Sequence, residues 1–165
     1  MHINEIKTLG IIPARGGSKG VLRKNIRYLA GKHLIGYSIE SAQKSEHLTN
    51  ILVSTDDKEI ANISYQYGSP VLIRPDSLAQ DDTPMLPVIR HALIESERLN
   101  QQKYDYVAIL QPTTPLRTAK DIDSAIEKIL INKSNSLVSL YRVEDAHPSR
   151  MYTIENGHLN RVMEE

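Results

Sequence analysis

The sequence predicts an α/β fold, a three-layer, doubly wound, mostly parallel sheet with helices on both faces. Three observations predict it. Apolar runs and amphipathic helical stretches alternate five times along the 165 residues. The apolar runs are short and continuous, the pattern of strands covered on both faces rather than one. The unusual polar loops follow directly after those runs, at the carboxyl edge of a parallel sheet, where such folds bind ligands.

Each element has its own signal. Residues 9–13 form a buried first strand. Leu34, Ile35, Ser38, Ile39 and Ala42 fall at helical spacing, which predicts a helix over about 33–45. Residues 51–55 are a second short apolar strand, ending at Asp56-Asp57, a helix-start signal. Ile60, Ile63, Ser64 and Tyr67 carry the second helix, and Gly68 stops it. Residues 71–73 are the third strand, followed by a long loop over 74–87 with Asp81-Asp82-Thr83 at its centre. Met85, Val88, Ile89, Ala92, Leu93, Ser96 and Leu99 give the third helix, with Pro84 and Pro87 tolerable only in its first turn. Residues 106–110 are the fourth strand. Ile122, Ala125, Ile126, Ile129 and Leu130 predict the fourth helix, and 137–143 a fifth strand. Asn156-Gly157 between residues 151–155 and 158–162 is a strong hairpin signal. The length predicts one domain over 1–165, with that hairpin as the possible start of a small extra lobe.

The first strand runs into the most informative stretch, residues 9–25. Its apolar run stops at Arg15, and Gly16, Gly17, Ser18, Lys19, Gly20, Arg23, Lys24 and Asn25 follow. Glycines let backbone N–H groups turn toward an anion, and Lys and Arg add charge-assisted hydrogen bonds to phosphate oxygens. The plainer alternative is a basic surface turn. The loop lacks the Gly-Lys-Ser/Thr ending of a P-loop and the G-x-G-x-x-G of a dinucleotide fingerprint, so it is a phosphate-type loop of another kind.

Composition narrows the partners. Twenty basic and twenty acidic residues cancel, and neither Trp nor Phe is present for base stacking, so a small anionic ligand is expected rather than nucleic acid. The absence of Cys removes disulfides and thiolate metal sites. The start is polar and no apolar stretch approaches about 18 residues, so the expectation is neither a signal peptide nor a membrane span, and a cytoplasmic location.

The second unusual stretch is Gln111-Pro112-Thr113-Thr114-Pro115-Leu116-Arg117. Two prolines fix the backbone, while Gln111 and the threonines offer hydrogen-bonding groups. By itself it also fits a rigid turn with a satisfied amide.

Together the two stretches resemble the acylneuraminate cytidylyltransferases (CMP-sialic acid synthetases). The resemblance rests on Ile12-Pro13-Ala14-Arg15-Gly16-Gly17-Ser18-Lys19-Gly20 with Lys24-Asn25, and on Leu110 joined to the second stretch. Ser54-Thr55-Asp56, Arg74-Pro75 and Leu78-Ala79-Gln80-Asp81-Asp82-Thr83 fit the same family, and the likeness covers about residues 8–150. The related deoxy-octulosonate cytidylyltransferases carry Gln-Gly-Asp where this chain has Gln111-Pro112-Thr113. The resemblance implies a Rossmann-like fold of the nucleotide-diphospho-sugar transferase type. It also implies a reaction in which the anomeric hydroxyl of a nonulosonic (sialic-type) acid attacks the α-phosphate of CTP and pyrophosphate leaves. Carried over by motif, Arg15, Ser18, Lys19, Lys24 and Asn25 look like the nucleotide cradle, and Arg74 is similar to a cytosine-side arginine. Gln111 resembles the glutamine that meets the acceptor sugar. Arg15, Lys19 and Gln111 are the implied catalytic residues, and Mg2+ the implied cofactor.

The family pattern continues past Glu165 with a substrate-region arginine, a dimer-forming segment and metal-holding aspartates, so a homodimer is expected of a full-length form. No metal ligands are assigned. Asp56, Asp57, Asp81 and Asp82 are read as caps or solvated loop residues before metal ligands, and His147 as structural before a catalytic base. The pair of small base-reading residues of some members has no clear match around 84–86. Two alternatives stand beside the transferase: a truncated or non-catalytic CTP-binding domain, and a nicotinamide dehydrogenase, which the missing fingerprint disfavours.

Overall fold

The computed structural model describes residues 6–18, 20–140, 142 and 151–162. In chain order the elements are β1 (Thr8–Pro13), β2 (Tyr28–Leu29), β3 (Lys32–His33), α1 (Leu34–Gln43), β4 (Asn50–Thr55) and α2 (Lys58–Gln66). Then come β5 (Val71–Ile73), α3 (Met85–Asn100), β6 (Tyr106–Ile109), α4 (Ala119–Ile131), β7 (Tyr152–Glu155) and β8 (His158–Arg161). Single 3-10 turns sit at Lys24–Ile26 and Asp76–Leu78.

β1 is buried at every position, as its unbroken apolar run requires. It pairs in parallel with β4 on one side, Ile11 opposite Leu52, and with β6 on the other, Ile11 opposite Ile109. β5 adds to β4, again in parallel, giving the order β5-β4-β1-β6. Because successive β1 side chains point to opposite faces, the strand feeds two cores. Ile12, with Val53 and Leu110, packs against Ile35, Ile39, Ile60, Ile122 and Ile126 from α1, α2 and α4. Leu9 and Ile11, with Leu52, pack against Ile89 and Ala92 of α3. Three helices on one face and one on the other give the three layers that the alternation predicts.

The helix ends follow local chemistry. Asp57 caps α2 by accepting from the Glu59 and Ile60 amides, each at 2.9 Å. Thr118 and Asp121 form a reciprocal capping box on α4. Pro84 is the N-cap of α3 and makes no side-chain cap bond, while Pro87 falls within the first turn, where a missing N–H costs nothing.

Two features depart from the sequence reading. The ribbon β2–β3 was not anticipated. Its turn places Ala30 at φ 47° and Gly31 at φ 83°, a primed-turn geometry reached without the Asn-Gly signature. The fifth strand expected over 137–143 is absent from 137–140, and the rest of it, apart from Arg142, lies outside the described residues, as does His147. Leu137, Val138 and Leu140 are 37%, 63% and 46% exposed, and residues 137–140 pair with no strand among the described residues. An apolar run specifies an extended segment only when a partner strand accepts its hydrogen bonds.

The chain divides into two compact units, Met1–Asn135 and Ser136–Glu165. The first holds the four-stranded sheet and all four helices. The second holds β7 and β8, which pair antiparallel around Asn156 and Gly157 at φ 51° and 79°, as the hairpin signal requires. Among the described residues no helix is long and apolar enough to cross a membrane.

Candidate active site

Strand order dictates where a ligand can enter. The chain steps outward from β1 to β4 to β5, then returns to place β6 on the other side of β1. The strand order thus reverses between β1 and β6, with the crossover helices α1 and α3 on opposite faces of the sheet, and the carboxyl ends of these two strands border a crevice. A cleft of about 370 Å³ lies at those ends. That volume is within the range of small-ligand pockets, about 300–1,000 Å³.

The first loop, from the end of β1, contributes Arg15, Ser18, Gly20, Lys24 and Asn25 to this cleft. Arg74 arrives from the end of β5, and Gln111, Pro112 and Thr113 from the end of β6. Every predicted site residue thus converges here except Lys19, which lies outside the described residues.

The loop's shape is set by internal hydrogen bonds. Asn25 is buried, and its side-chain amide donates to the Arg15 carbonyl at 3.0 Å, tying the two ends of the loop together. Asp56, just after β4, accepts from the Gly16 amide at 3.3 Å and from Arg74 Nη2 at 3.3 Å. Gly16 has a steric reason to be glycine. A Cβ there would stand 2.6 Å from Asp57 Oδ2, the carboxylate that caps α2. Loop and helix start are therefore packed as one piece.

The cations of the loop are not equivalent. Arg23 pairs with Asp57 at 2.7 Å and also with Glu59, so it serves the frame rather than a ligand. The Asp57 hydrogen bonds and ion pairs hold the Arg23 guanidinium's pKa above its ordinary value. Lys24 lines the cleft. Arg15 lines it too, yet is held by Asp81 at 3.0 Å and by the Gln80 carbonyl at 3.2 Å. An incoming anion must compete with Asp81 for that guanidinium.

Arg74 is the most informative residue of the wall. It is 5% exposed, and its Nε is buried with no hydrogen-bond partner. Burial pulls its pKa below the ordinary arginine value, while the Asp56 carboxylate opposes that pull. Arg74 therefore brings to the cleft wall a charge braced by Asp56, with one buried N–H left unsatisfied behind it.

The sequence reading gave Asp56, Asp57, Asp81 and Asp82 cap or solvation roles ahead of metal binding. Asp57 is the cap, Asp56 the brace of Arg74 and Asp81 the partner of Arg15. Among the described residues no three His, Cys, Asp or Glu side chains gather to hold a metal ion. Sequence reasoning missed Leu78, Gln80, Thr83, Met85 and Val88 as cleft-lining residues. Leu78, Gln80 and Thr83 had a signal in the motif stretch over 78–83, whereas Met85 and Val88 were read only as positions of the third helix. The first turn of α3 also borders the cleft, and its leading amides have no side-chain cap.

Comparison with known proteins gives a family for the chain. The cytidylyltransferase family model matches residues 9–156. The chain is 37% identical over 153 residues to a pseudaminic acid cytidylyltransferase of Campylobacter jejuni, covering 92% of this chain and 66% of that protein. It is 38% identical over 138 residues to an N-acylneuraminate cytidylyltransferase of Escherichia coli, covering 82% of this chain and 32% of that protein. A flagellin modification protein B of Campylobacter coli is 40% identical over 129 residues, covering 78% of this chain and 55% of that protein. The chain thus spans a third to two thirds of the length of these relatives. Among solved structures, a CMP:2-keto-3-deoxy-manno-octonic acid synthetase complexed with CTP superposes with TM-score 0.64 at 20% identity, covering 77% of this chain and 48% of that one. A cytidylyltransferase from Leptospira borgpetersenii superposes with TM-score 0.60 at 24% identity, covering 78% and 50%. These likenesses establish the fold. With the family match spanning the loop after β1, Arg74 and the turn after β6, the chain belongs to the cytidylyltransferase family.

Proposed function

We propose that this chain carries the CTP site of an enzyme that transfers CMP from CTP to a nonulosonic acid with release of pyrophosphate. The observation that carries the reading is convergence. A cationic loop, an enclosed arginine braced by Asp56, and Gln111 come from three distant stretches to one cleft at the sheet's switch point. The relatives act, by their names, on pseudaminic, legionaminic and neuraminic acids, which supports this acceptor class.

In this reading the triphosphate lies along the loop after β1, with Arg15, Ser18, Lys19 and Lys24 donating to its oxygens. Asn25 supports the ribose side of the cradle and keeps the loop closed. Arg74 stands on the cytosine side of the cleft wall. Gln111 holds the acceptor, whose anomeric oxygen attacks the α-phosphorus. The bond from that phosphorus to the bridging oxygen breaks, pyrophosphate departs with the electron pair, and the hydroxyl proton passes to solvent. Positioning and neutralisation of charge dominate such transfers, which suits a site rich in fixed donors. Arg15, Lys19 and Gln111 are accordingly the catalytic residues of this proposal. Arg15 exchanges Asp81 for phosphate as CTP binds.

Magnesium, where it accompanies CTP, would neutralise part of the triphosphate charge beside Arg15 and Lys24. A full-length homodimer and a cytoplasmic location, where CTP is available, belong to the same reading. A second reading, a domain that binds CTP without turnover, draws on the missing carboxylate cluster among the described residues. Pyrophosphate release with CTP, magnesium and a panel of nonulosonic acids decides between the two. Release that depends on one of these acids supports the transferase, and CTP binding without release supports the second reading.

A further inference from the structure

The turn after β6 is fixed by a side chain that does not line the cleft. Three donors converge on the Gln111 carbonyl: the Thr114 amide at 3.3 Å, Ser38 Oγ at 3.4 Å and Arg117 Nη2 at 3.4 Å. The same Arg117 Nη2 donates to Ser38 Oγ at 3.0 Å. Ser38 is 1% exposed on α1, and its hydroxyl can accept from Arg117 while passing its own hydrogen to Gln111. The Arg117 amide closes a second turn onto the Thr114 carbonyl at 3.3 Å. Pro112 and Pro115 limit the remaining backbone freedom.

Arg117 is placed there against its solvation preference. Its Nε is buried with no hydrogen-bond partner. Burial lowers its pKa, and the Asp121 charge only partly opposes this. Asp121 accepts from the Thr118 amide and hydroxyl, each at 2.8 Å, so its hydrogen bonds are spent on the α4 cap. A guanidinium kept in this setting makes few bonds for its burial, and those it makes all bear on Gln111 or on the serine that holds Gln111. The result is a Gln111 backbone braced from α1, with its exposed side chain directed by that brace at the cleft wall.

We infer that Arg117, acting through Ser38, is a positioning residue that sets Gln111 for the acceptor and so governs acceptor binding without governing CTP binding. This rests on the acceptor role proposed for Gln111. It is tested by calorimetric titration of two ligands: CTP, and a nonulosonic acid added to the chain saturated with a non-transferable CTP analogue. The proteins are the parent, Arg117→Met, Arg117→Lys, Ser38→Ala and the double variant Ser38→Ala/Arg117→Met. The expected result for Arg117→Met is CTP affinity within about twofold of the parent and acceptor affinity down about tenfold, the scale of one charge-assisted hydrogen bond. Arg117→Lys should recover part of the loss, because it keeps a positive charge and several donors but on a shorter, unbranched stem that does not carry its nitrogen fully to the place of Nη2. The double variant should be no weaker than Arg117→Met, since both changes remove one brace. If Arg117→Met does not fold, Ser38→Ala and Arg117→Lys give the same comparison. Equal losses of CTP and acceptor would make Arg117 a general structural residue and overturn the inference, as would parent-like affinities for both. A parent chain that binds CTP but none of the acids overturns the acceptor role of Gln111 and this inference together. A parent that binds both, with Arg117→Met unchanged, overturns this inference alone.

Discussion

Arg15 shows how one side chain can be both ready for a ligand and held back from it. It lies about one third exposed at the end of β1, and its Nη1 is 3.0 Å from Asp81 Oδ1. An ion pair that wet contributes about 0–1 kcal/mol. A triphosphate, with more charge and more acceptors, should displace it. Arg15→Ala is expected to weaken CTP binding by about 1.5–3 kcal/mol, the scale of a hydrogen bond to a charged group, while Lys7→Ala outside the loop should change little. Isothermal titration of both variants checks this, and an unaltered affinity for Arg15→Ala places the phosphates elsewhere. Asp81→Asn should act in the opposite direction and tighten CTP by up to about fivefold, because it removes the resident competitor for Arg15. Weaker CTP binding in Asp81→Asn would mean that Asp81 faces the ligand with a role of its own. The loop cations, Arg74 and Gln111 were legible as residue types after apolar runs. The Arg15–Asp81 pair was not, since nothing local connects two residues so far apart in sequence until β1 and the loop after β5 are folded side by side.

Among the elements, α2 joins the site to the frame. Its cap, Asp57, is the carboxylate against which Gly16 packs and with which Arg23 pairs. Burial alone would raise the Asp57 pKa, but the Ile60 amide, Arg23 and the Glu59 amide outweigh it and hold the carboxyl below its ordinary range. A group lowered in this way stabilises the fold above its unfolded pKa, near 4, and loses that contribution as pH falls through the lower folded value. Asp57→Ala should therefore cost about 0.5–2 kcal/mol in urea unfolding at pH 7, a typical cap loss. The difference from the parent should shrink as the pH is taken below about 4. A deficit that stays constant through the acid range would assign the loss to packing instead. The helices and the core strands were readable because each buries a continuous apolar run or stripe. The β2–β3 ribbon was not, because two-residue strands carry no periodicity and Ala30-Gly31 is an uncommon turn pair. Residues 137–140 misled in the other sense. Their apolar pattern is that of a strand, but pairing depends on a partner edge that lies outside the pattern itself.

At the scale of the molecule, the order β5-β4-β1-β6 makes the site. It brings the end of β1, the first informative stretch, beside the end of β6, the second, although about a hundred residues separate them. Alternation of apolar runs announced a parallel sheet but not its strand order, so the sequence placed both stretches on one edge without making them neighbours. The cleft between them, with Arg74 on its wall, is the basis for a cytidine nucleotide as ligand. The most direct test is thermal unfolding of the chain with CTP, ATP, GTP or NAD at equal concentration, with and without magnesium. A ligand at about 100 times its Kd adds roughly 2.7 kcal/mol. For a domain of this size each kcal/mol moves the midpoint by about 2–4 °C. The account predicts a rise of several degrees with CTP and a clearly smaller one with ATP, GTP or NAD. Equal rises with all three triphosphates, or a response to NAD alone, would contradict it.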